Sequence, residues 1–313
     1  HWVLVTVFHH AVCDGWSMGI IWHDLQELYR ARRDGGGTQL APPTAQFTDC
    51  ARAEHELSDG RRAELERFWR TELDGAPLRL DLPYDRPHPG TLSGRGALHT
   101  WVVDGDTPAR IADTATRLGT TPYTVLAAAF AAWAAALCGR PTDVVLAASS
   151  ANRLRRERSD VVGMLGDAVL LRARLGEAET FADLVTQLSS TLFSALDHQE
   201  LPLTEVAELV SPGSTDGLFP TVLFTVVTTP PPALDLGAVS ATVRGLDTVA
   251  SARNELYAVL SPDEEFISVT FEYSTELFDS TTIETWGRTF TRFLEEITKD
   301  PEYLLQSLFH LME

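Results

Sequence analysis

The stretch FHHAVCDGWSMG, residues 8–19, decides how the rest of this sequence is read. Two adjacent histidines, an aspartate shortly after them and a Gly-x-Ser-x-Gly string fit three chemistries: a metal site, a serine-hydrolase elbow, or a histidine-based acyl-transfer site. Just upstream, WVLVTVF is a near-continuous β-branched and aromatic run, which predicts a strand covered on both faces. Strand geometry would send His9 and His10 to opposite faces, whereas two ligands for one ion share a face, and Asp14 does not repair this. No metal is expected.

The hydrolase reading rests on GWSMG, Gly15 to Gly19, between a predicted strand and a predicted helix. A nucleophile elbow follows its strand almost at once, yet HHAVCD separates Phe8 from Gly15. Ser17 reads more simply as a first-turn residue whose hydroxyl satisfies orphan helix amides. In the third reading, one imidazole points into a cleft and takes a proton while the other packs inward and holds the turn. Asp14 would brace the loop by an ion pair or hydrogen bond, and Gly15 would allow close approach of a substrate or of its own amide. Against this stands a plainer account, with both histidines as satisfied core residues and Asp14 as a helix cap.

Outward from the motif, Trp16, Ile21, Leu25, Leu28 and Tyr29 recur at helical spacing to about Arg32, where RRDGGG ends the helix. A connector, a helix through RRAELERFWRTEL and the extended LPYDRPHPGTLSGRG follow. The pattern then restarts with the strand ALHTWVV and two helices that each open Thr-Pro, where Thr can cap and Pro suits the first turn. DVVLAASS and AVLLRARL read as strands flanking the polar loop ANRLRRERSD. Two helices, TFADLVTQLSSTLFSALDH and LTEVAELV, precede the strands PTVLFTVV, ATVRGL, ELYAVLS and FISVTFEYS, and STTIETWGRTFTRFLEEIT closes the chain as a helix. This mixture implies α/β layers. A buried-type strand beginning at residue 2 would need neighbours, so a further stretch before His1 is expected.

With 313 residues the chain suits two domains or one large one, and 44% apolar residues can bury a real core. A net charge of −19 argues against broad binding to a phosphate backbone, so no nucleic-acid partner is expected. Cys13, Cys50 and Cys138 are scattered, which fits a reducing, cytoplasmic setting. The start has no signal-peptide pattern, and the longest apolar run, Tyr123 to Cys138, falls short of the ~20 residues that span a bilayer. No membrane partner is expected.

HHAVCDGWS reads as His-His-x-x-x-Asp-Gly-Trp-Ser, which resembles the signature of condensation domains of nonribosomal peptide synthetases, in the superfamily that includes chloramphenicol acetyltransferase. Further segments are similar in the same order: FTDCA (Phe47 to Ala51), FWRTELDGAPLRLDLPYDRPHP, Asn152-Arg153 where the family usually has Gly-Arg, HQELPLTE (His198 to Glu205) and FEYSTELFD (Phe271 to Asp279). Two segments depart. The family's Val-Gly-x-Phe-Val-Asn-Thr run is VGMLGDA here, with Leu165, Gly166, Asp167 and Ala168 at the changed positions, near the acceptor side in the family. GSTDGLFP lacks the arginines of its counterpart.

The resemblance implies an α/β fold of two chloramphenicol-acetyltransferase-like lobes in a V, the first incomplete at its N-terminus. Residues 1–75 would be the remainder of the first lobe, 76–95 an inter-lobe linker and 96–313 the second lobe. It implies acyl transfer from a carrier-protein thioester to an amine on a second carrier, or to an alcohol to give an ester; a catalytically silent carrier-binding module is the reading from another class. Donor and acceptor carriers would present substrates on 4′-phosphopantetheine arms, with no cofactor bound by the chain itself, which would sit within a larger multidomain synthetase. Site residues carried over are His10, to orient or deprotonate the nucleophile, His9 as its structural neighbour, Gly15 for the oxyanion, and Asp14 paired with Arg153. Every other arginine of RLRRER reads as solvated.

Overall fold

The computed structural model describes residues 2–38, 40–213, 221–227, 234–237, 239–243 and 251–309. Along the chain the elements are α1 (Gly15–Asp34), α2 (Phe47–His55), α3 (Asp59–Glu72), β1 (Gly96–Val103), α4 (Thr107–Arg117), α5 (Pro122–Leu137), β2 (Asp143–Ser150), β3 (Asp167–Arg174), α6 (Phe181–Asp197) and α7 (Leu203–Val210). They continue with β4 (Val222–Val226), β5 (Leu234–Asp235), β6 (Ser240–Ala241), β7 (Leu256–Pro262), β8 (Ile267–Ser274), α8 (Ser280–Ile297) and α9 (Leu305–Leu308). The elements form two compact units. Unit 1 comprises His1–Arg62, Ser150–Asp167 and Thr229–Leu246; unit 2 comprises Ala63–Ser149, Ala168–Thr228 and Asp247–Glu313.

Unit 2 is built on a six-stranded mixed sheet of order β1-β8-β7-β4-β2-β3. β1, β8 and β7 run antiparallel in turn, while β7 with β4 and β4 with β2 are parallel. Alternation sends Val222, Phe224 and Val226 of β4 and Leu256, Ala258 and Leu260 of β7 to one buried face. Phe271 of β8 lies in register with Ala258 on the same face. Against it lies α5, whose alanines let the helix sit close; Thr121 caps it by accepting the Thr124 amide, and Pro122 occupies its first turn. Phe130 and Trp133 of α5 meet Phe224, Phe271 and Phe290 with ring centroids 5.1–6.3 Å apart.

The earlier Thr-Pro pair, Thr107-Pro108, behaves differently from the sequence expectation. Thr107 lies inside α4, and Asp106 holds the cap position without a side-chain bond. Residues 76–95, read as a linker, are bound along unit 2. The Asp85 carboxylate accepts from the Asp279 amide at 2.7 Å and the Thr282 hydroxyl at 2.9 Å. Glu255, only 2% exposed, accepts from the Tyr84 hydroxyl at 2.7 Å and from Arg79 at 3.0 Å, with His88 Nε2 at 3.5 Å.

In unit 1, α1 carries the β5-β6 pair. Gln26 accepts the Asp235 amide at 2.7 Å, Arg33 donates to the Leu236 carbonyl at 2.6 Å, and Arg30 pairs with Asp235. Its apolar cluster is Cys50, Val161 and Leu165, with Ala45 against it. Gly163 lies so close to the Phe47 ring that any side chain there would collide.

Trp2 to Phe8 correct the sequence reading. They form no strand: Trp2 is 101% exposed, Val3 87% and Val7 85%, and no described residue pairs with them. A β-branched run can join a ladder but cannot supply the partner strand, and none of the described residues supplies one. Of ATVRGL only the first residue lies in a strand, β6; its last three residues, most of GSTDGLFP and His310 lie outside the described residues.

Candidate active site

His9 and His10 do not lie in a strand, so the opposite-face argument does not apply to them. His9 is extended (φ −70, ψ 133) and precedes a 3-10 turn, His10–Val12; both imidazoles are exposed. The His9 ring accepts the Ala11 amide at 3.1 Å. His10 Nδ1 lies 3.0 Å from the Cys13 carbonyl oxygen. A carbonyl can only accept, so Nδ1 of His10 carries the proton and Nε2 presents a lone pair, a tautomer assigned from its partner. An exposed ring with one nitrogen tethered and the other free can accept a proton from a substrate. Among the described residues no group of His, Cys, Asp or Glu could hold a metal ion.

Asp14 fills both roles weighed for it. It caps α1 by accepting the Ser17 amide at 2.8 Å, and it pairs with Arg153 at 2.8 Å. The carboxylate has five donors: the Ser17 amide and hydroxyl, Arg153 Nη2, and the Leu165 and Gly166 amides at 3.0 Å each. Burial pushes its carboxyl up, but the Ser17 hydroxyl and amide, the Arg153 charge and the Gly166 amide outweigh that and hold it below the usual carboxylate range. Asp14 is therefore a fixed anion and an anchor rather than a proton acceptor. Beside it, burial first and Asp14 second push the Cys13 thiol up, against the Arg153 charge, which keeps it a neutral packing group.

Arg153 has a side chain 2% exposed. Its other terminal nitrogen donates to the Arg158 and Val161 carbonyls at 2.8 and 2.7 Å, so the guanidinium fastens the loop as well as Asp14. Asn152 next to it adopts φ +53, a left-handed conformation that asparagine tolerates better than other non-glycine residues. This accounts for an asparagine where the resembled family usually carries glycine. Arg158 is not a solvated loop residue: it is 8% exposed and pairs with Glu54 at 3.0 Å. Trp16 adds a bond from its indole nitrogen to the Ser159 carbonyl at 2.9 Å.

Ser17 is fully buried. Its hydroxyl lies 2.7 Å from Asp14 Oδ1, 3.0 Å from the Gly163 carbonyl and 3.0 Å from the Gly163 amide, which it accepts. A hydroxyl so enclosed cannot attack a substrate, which removes the hydrolase elbow. Gly15 is the first residue of α1, with open space where a side chain would stand. Its amide is one of the first-turn donors without an intrahelical acceptor. Sequence reasoning saw the side chains of this site but missed the Leu165 and Gly166 amides, because backbone donors leave no mark in residue identity.

The sequence model of the family described as Condensation domain matches residues 1–313. The chain belongs to the condensation-domain family. This condensation domain is 31% identical over 311 residues to phosphinothricin tripeptide synthetase PhsC of Streptomyces viridochromogenes, a match covering 98% of this chain and 28% of the relative. It is similar to the X-domain from teicoplanin biosynthesis, with TM-score 0.81 and 26% identity over 95% of this chain and 69% of that one. The first condensation domain of the calcium-dependent antibiotic synthetase shares the fold, with TM-score 0.76 and 23% identity over 95% of this chain and 64% of that one. The domain therefore spans less than a third of PhsC and about two thirds of each solved structure. Among its described residues no single helix is long and apolar enough to cross a membrane.

Proposed function

We propose that the chain transfers an acyl group from a carrier-protein thioester to an amine borne on a second carrier, forming a peptide bond. Both substrates would arrive on 4′-phosphopantetheine arms of carriers within a multidomain synthetase, in line with family membership and the likeness to PhsC. The observation that carries this reading is the exposed His10 ring, with Nδ1 tied to the Cys13 carbonyl and Nε2 free.

In the reaction the amine nitrogen attacks the thioester carbonyl carbon. A C–N bond forms, the C–S bond breaks, and the pantetheine sulfur leaves as a thiolate. His10 Nε2 takes the proton released by the amine and returns it to that sulfur, so charge and protons balance. A free amine needs little help from a base, so holding it at the carbonyl supplies much of the effect. The Gly15 amide would donate to the oxygen as it becomes an oxyanion. Asp14, held as an anion by five donors, would anchor the chain just after the turn that carries His10.

A second reading, a recruiting module without transfer activity, is favoured by the likeness to the teicoplanin X-domain, itself known in complex with OxyB. One experiment separates the cases. The protein is given a loaded donor carrier with amine or alcohol acceptors, and products are weighed by mass spectrometry. An amide product is expected. An ester alone would replace the amine by an alcohol acceptor, and no product from either would leave recruitment.

A further inference from the structure

Helix α2 carries two ion pairs of different kinds. Arg52 and Asp49 lie 3.6 Å apart within the helix, and both are exposed. Such a pair contributes little. Glu54, half-buried, instead reaches the buried Arg158 at 3.0 Å, in the loop after β2. Phe47, Cys50 and Glu54 recur at i, i+3 and i+7, which puts them on one face of α2. That face bears on the loop point by point. The Phe47 ring lies against Gly163, Cys50 packs with Val161 and Leu165, and Glu54 holds Arg158. The same four loop residues bind Asp14, Arg153 and Ser17. The Arg158 and Val161 carbonyls accept from Arg153 at 2.8 and 2.7 Å, and the Gly163 and Leu165 amides donate to Ser17 and Asp14 at 3.0 Å each. Of the three contacts from α2, those of Phe47 and Cys50 are apolar and indifferent to direction, whereas the charge-assisted bond of Glu54 is directional.

We propose that Glu54 is a positioning residue: through Arg158 it fixes the loop 158–166, and through that loop the Asp14–Arg153 pair that anchors the histidine motif. The kinetic half of the test rests on the acyl-transfer reading; the exchange half does not. Glu54→Gln keeps the shape of the side chain but leaves a buried guanidinium without its counter-charge, which is what destabilises a broken pair. Because Glu54 acts only by way of Arg158, the same substitution should do nothing further in a protein already changed by Arg158→Met, as residues of one network are not additive.

Hydrogen exchange read at the Gly163 and Leu165 amides tests the hold on the loop. Glu54→Gln is expected to speed both by about tenfold, while the amides of β7 and β8 in unit 2 stay as they are. Arg52→Gln, which breaks the exposed pair of the same helix, is expected to move neither amide. In the transfer assay Glu54→Gln is expected to lower kcat by about threefold to tenfold with KM for loaded carriers little changed, as a misplaced catalytic turn does. Unchanged exchange in Glu54→Gln, an equal acceleration in Arg52→Gln, or effects of Glu54→Gln and Arg158→Met that simply add would each overturn the proposal. So would a loosened loop with kcat intact, or a loss confined to KM. If the unaltered protein transfers nothing, the acyl-transfer reading fails, while exchange still decides whether Glu54 fixes the loop.

Discussion

Around Phe271 in unit 2 the neighbours are rings and aliphatic side chains: Phe130, Trp133 and Phe290, with Val269 and Ile283 fully buried in the same unit. In unit 1 the buried middle is instead an ion pair, Asp14 with Arg153, ringed by the Ser17 hydroxyl and by backbone groups of residues 158–166. Apolar packing is roughly proportional to area and indifferent to direction, so it makes a durable scaffold. Hydrogen bonds to ions are short and directional, so they fix where a turn lies. The directional network thus follows directly on the histidine motif at Asp14, beside the small apolar cluster of unit 1, while the large apolar core belongs to unit 2.

The comparison breaks most visibly under truncation. Arg153→Ala strands a buried carboxylate and is expected to cost about 3–5 kcal/mol. Phe271→Ala should cost a similar ~3–5 kcal/mol by opening a cavity. The two are told apart by hydrogen exchange. Loss of Arg153 should deprotect the Leu165 and Gly166 amides, which donate to Asp14, while Phe271→Ala should act on the amides of β7 and β8. Unchanged protection at Leu165 and Gly166 in Arg153→Ala would show that the ion pair does not hold the loop.

A smaller contrast lies in the two buried carboxylates. Burial pushes both up; at Asp14 the Ser17 bonds and Arg153 prevail and the net shift is downward, whereas at Glu255 burial prevails over Tyr84, Arg79 and His88 and the net shift is upward. A depressed carboxyl contributes stability above its unfolded value, near 3.9 for aspartate, and loses it as pH falls through the folded value. A raised one contributes below its unfolded value, near 4.3 for glutamate, and loses it as pH rises through the folded value. Acidification below about pH 4 should therefore deprotect Leu165 and Gly166 while the Glu255 contribution is fully present. Acid-insensitive exchange at Leu165 and Gly166 would contradict the assignment of Asp14 as the anion they serve.

The smallest effect concerns Asn152 at φ +53. Asn152→Gly should change stability by well under ~1 kcal/mol, whereas Asn152→Val should cost about 1–2 kcal/mol, because branched side chains resist the left-handed region. Equal melting temperatures for the two variants would remove backbone conformation as the reason for asparagine there.

Much of this architecture is legible in residue order. The alanine-rich α5, with Thr121 and Pro122 at its start, and the alternating strands β7 and β8 follow from period and capping chemistry. Asp14 and Arg153 could be named as partners from their places in the family's motifs, and they form a pair. What was not legible depends on neighbours distant in sequence. WVLVTVF carries every mark of a strand, yet pairing needs a second strand that composition cannot report. Arg156 and Arg158 look alike in RLRRER, but Arg156 is exposed while Arg158 is buried against Glu54. Glu255 gives no hint in sequence that Tyr84 and Arg79, some 170 residues earlier, close over it.

The most direct test of the account is a single-turnover transfer between a loaded donor carrier and an amine-loaded acceptor carrier, comparing the unaltered protein with His10→Ala. Removing a positioned proton acceptor is expected to slow amide formation on the order of a hundredfold or more, with the unfolding transition little moved, since the ring is exposed and its Nδ1 bond is local, to the Cys13 carbonyl. Amide formation at the same rate in both proteins would contradict the assignment of His10 as the group at which acyl donor and amine meet.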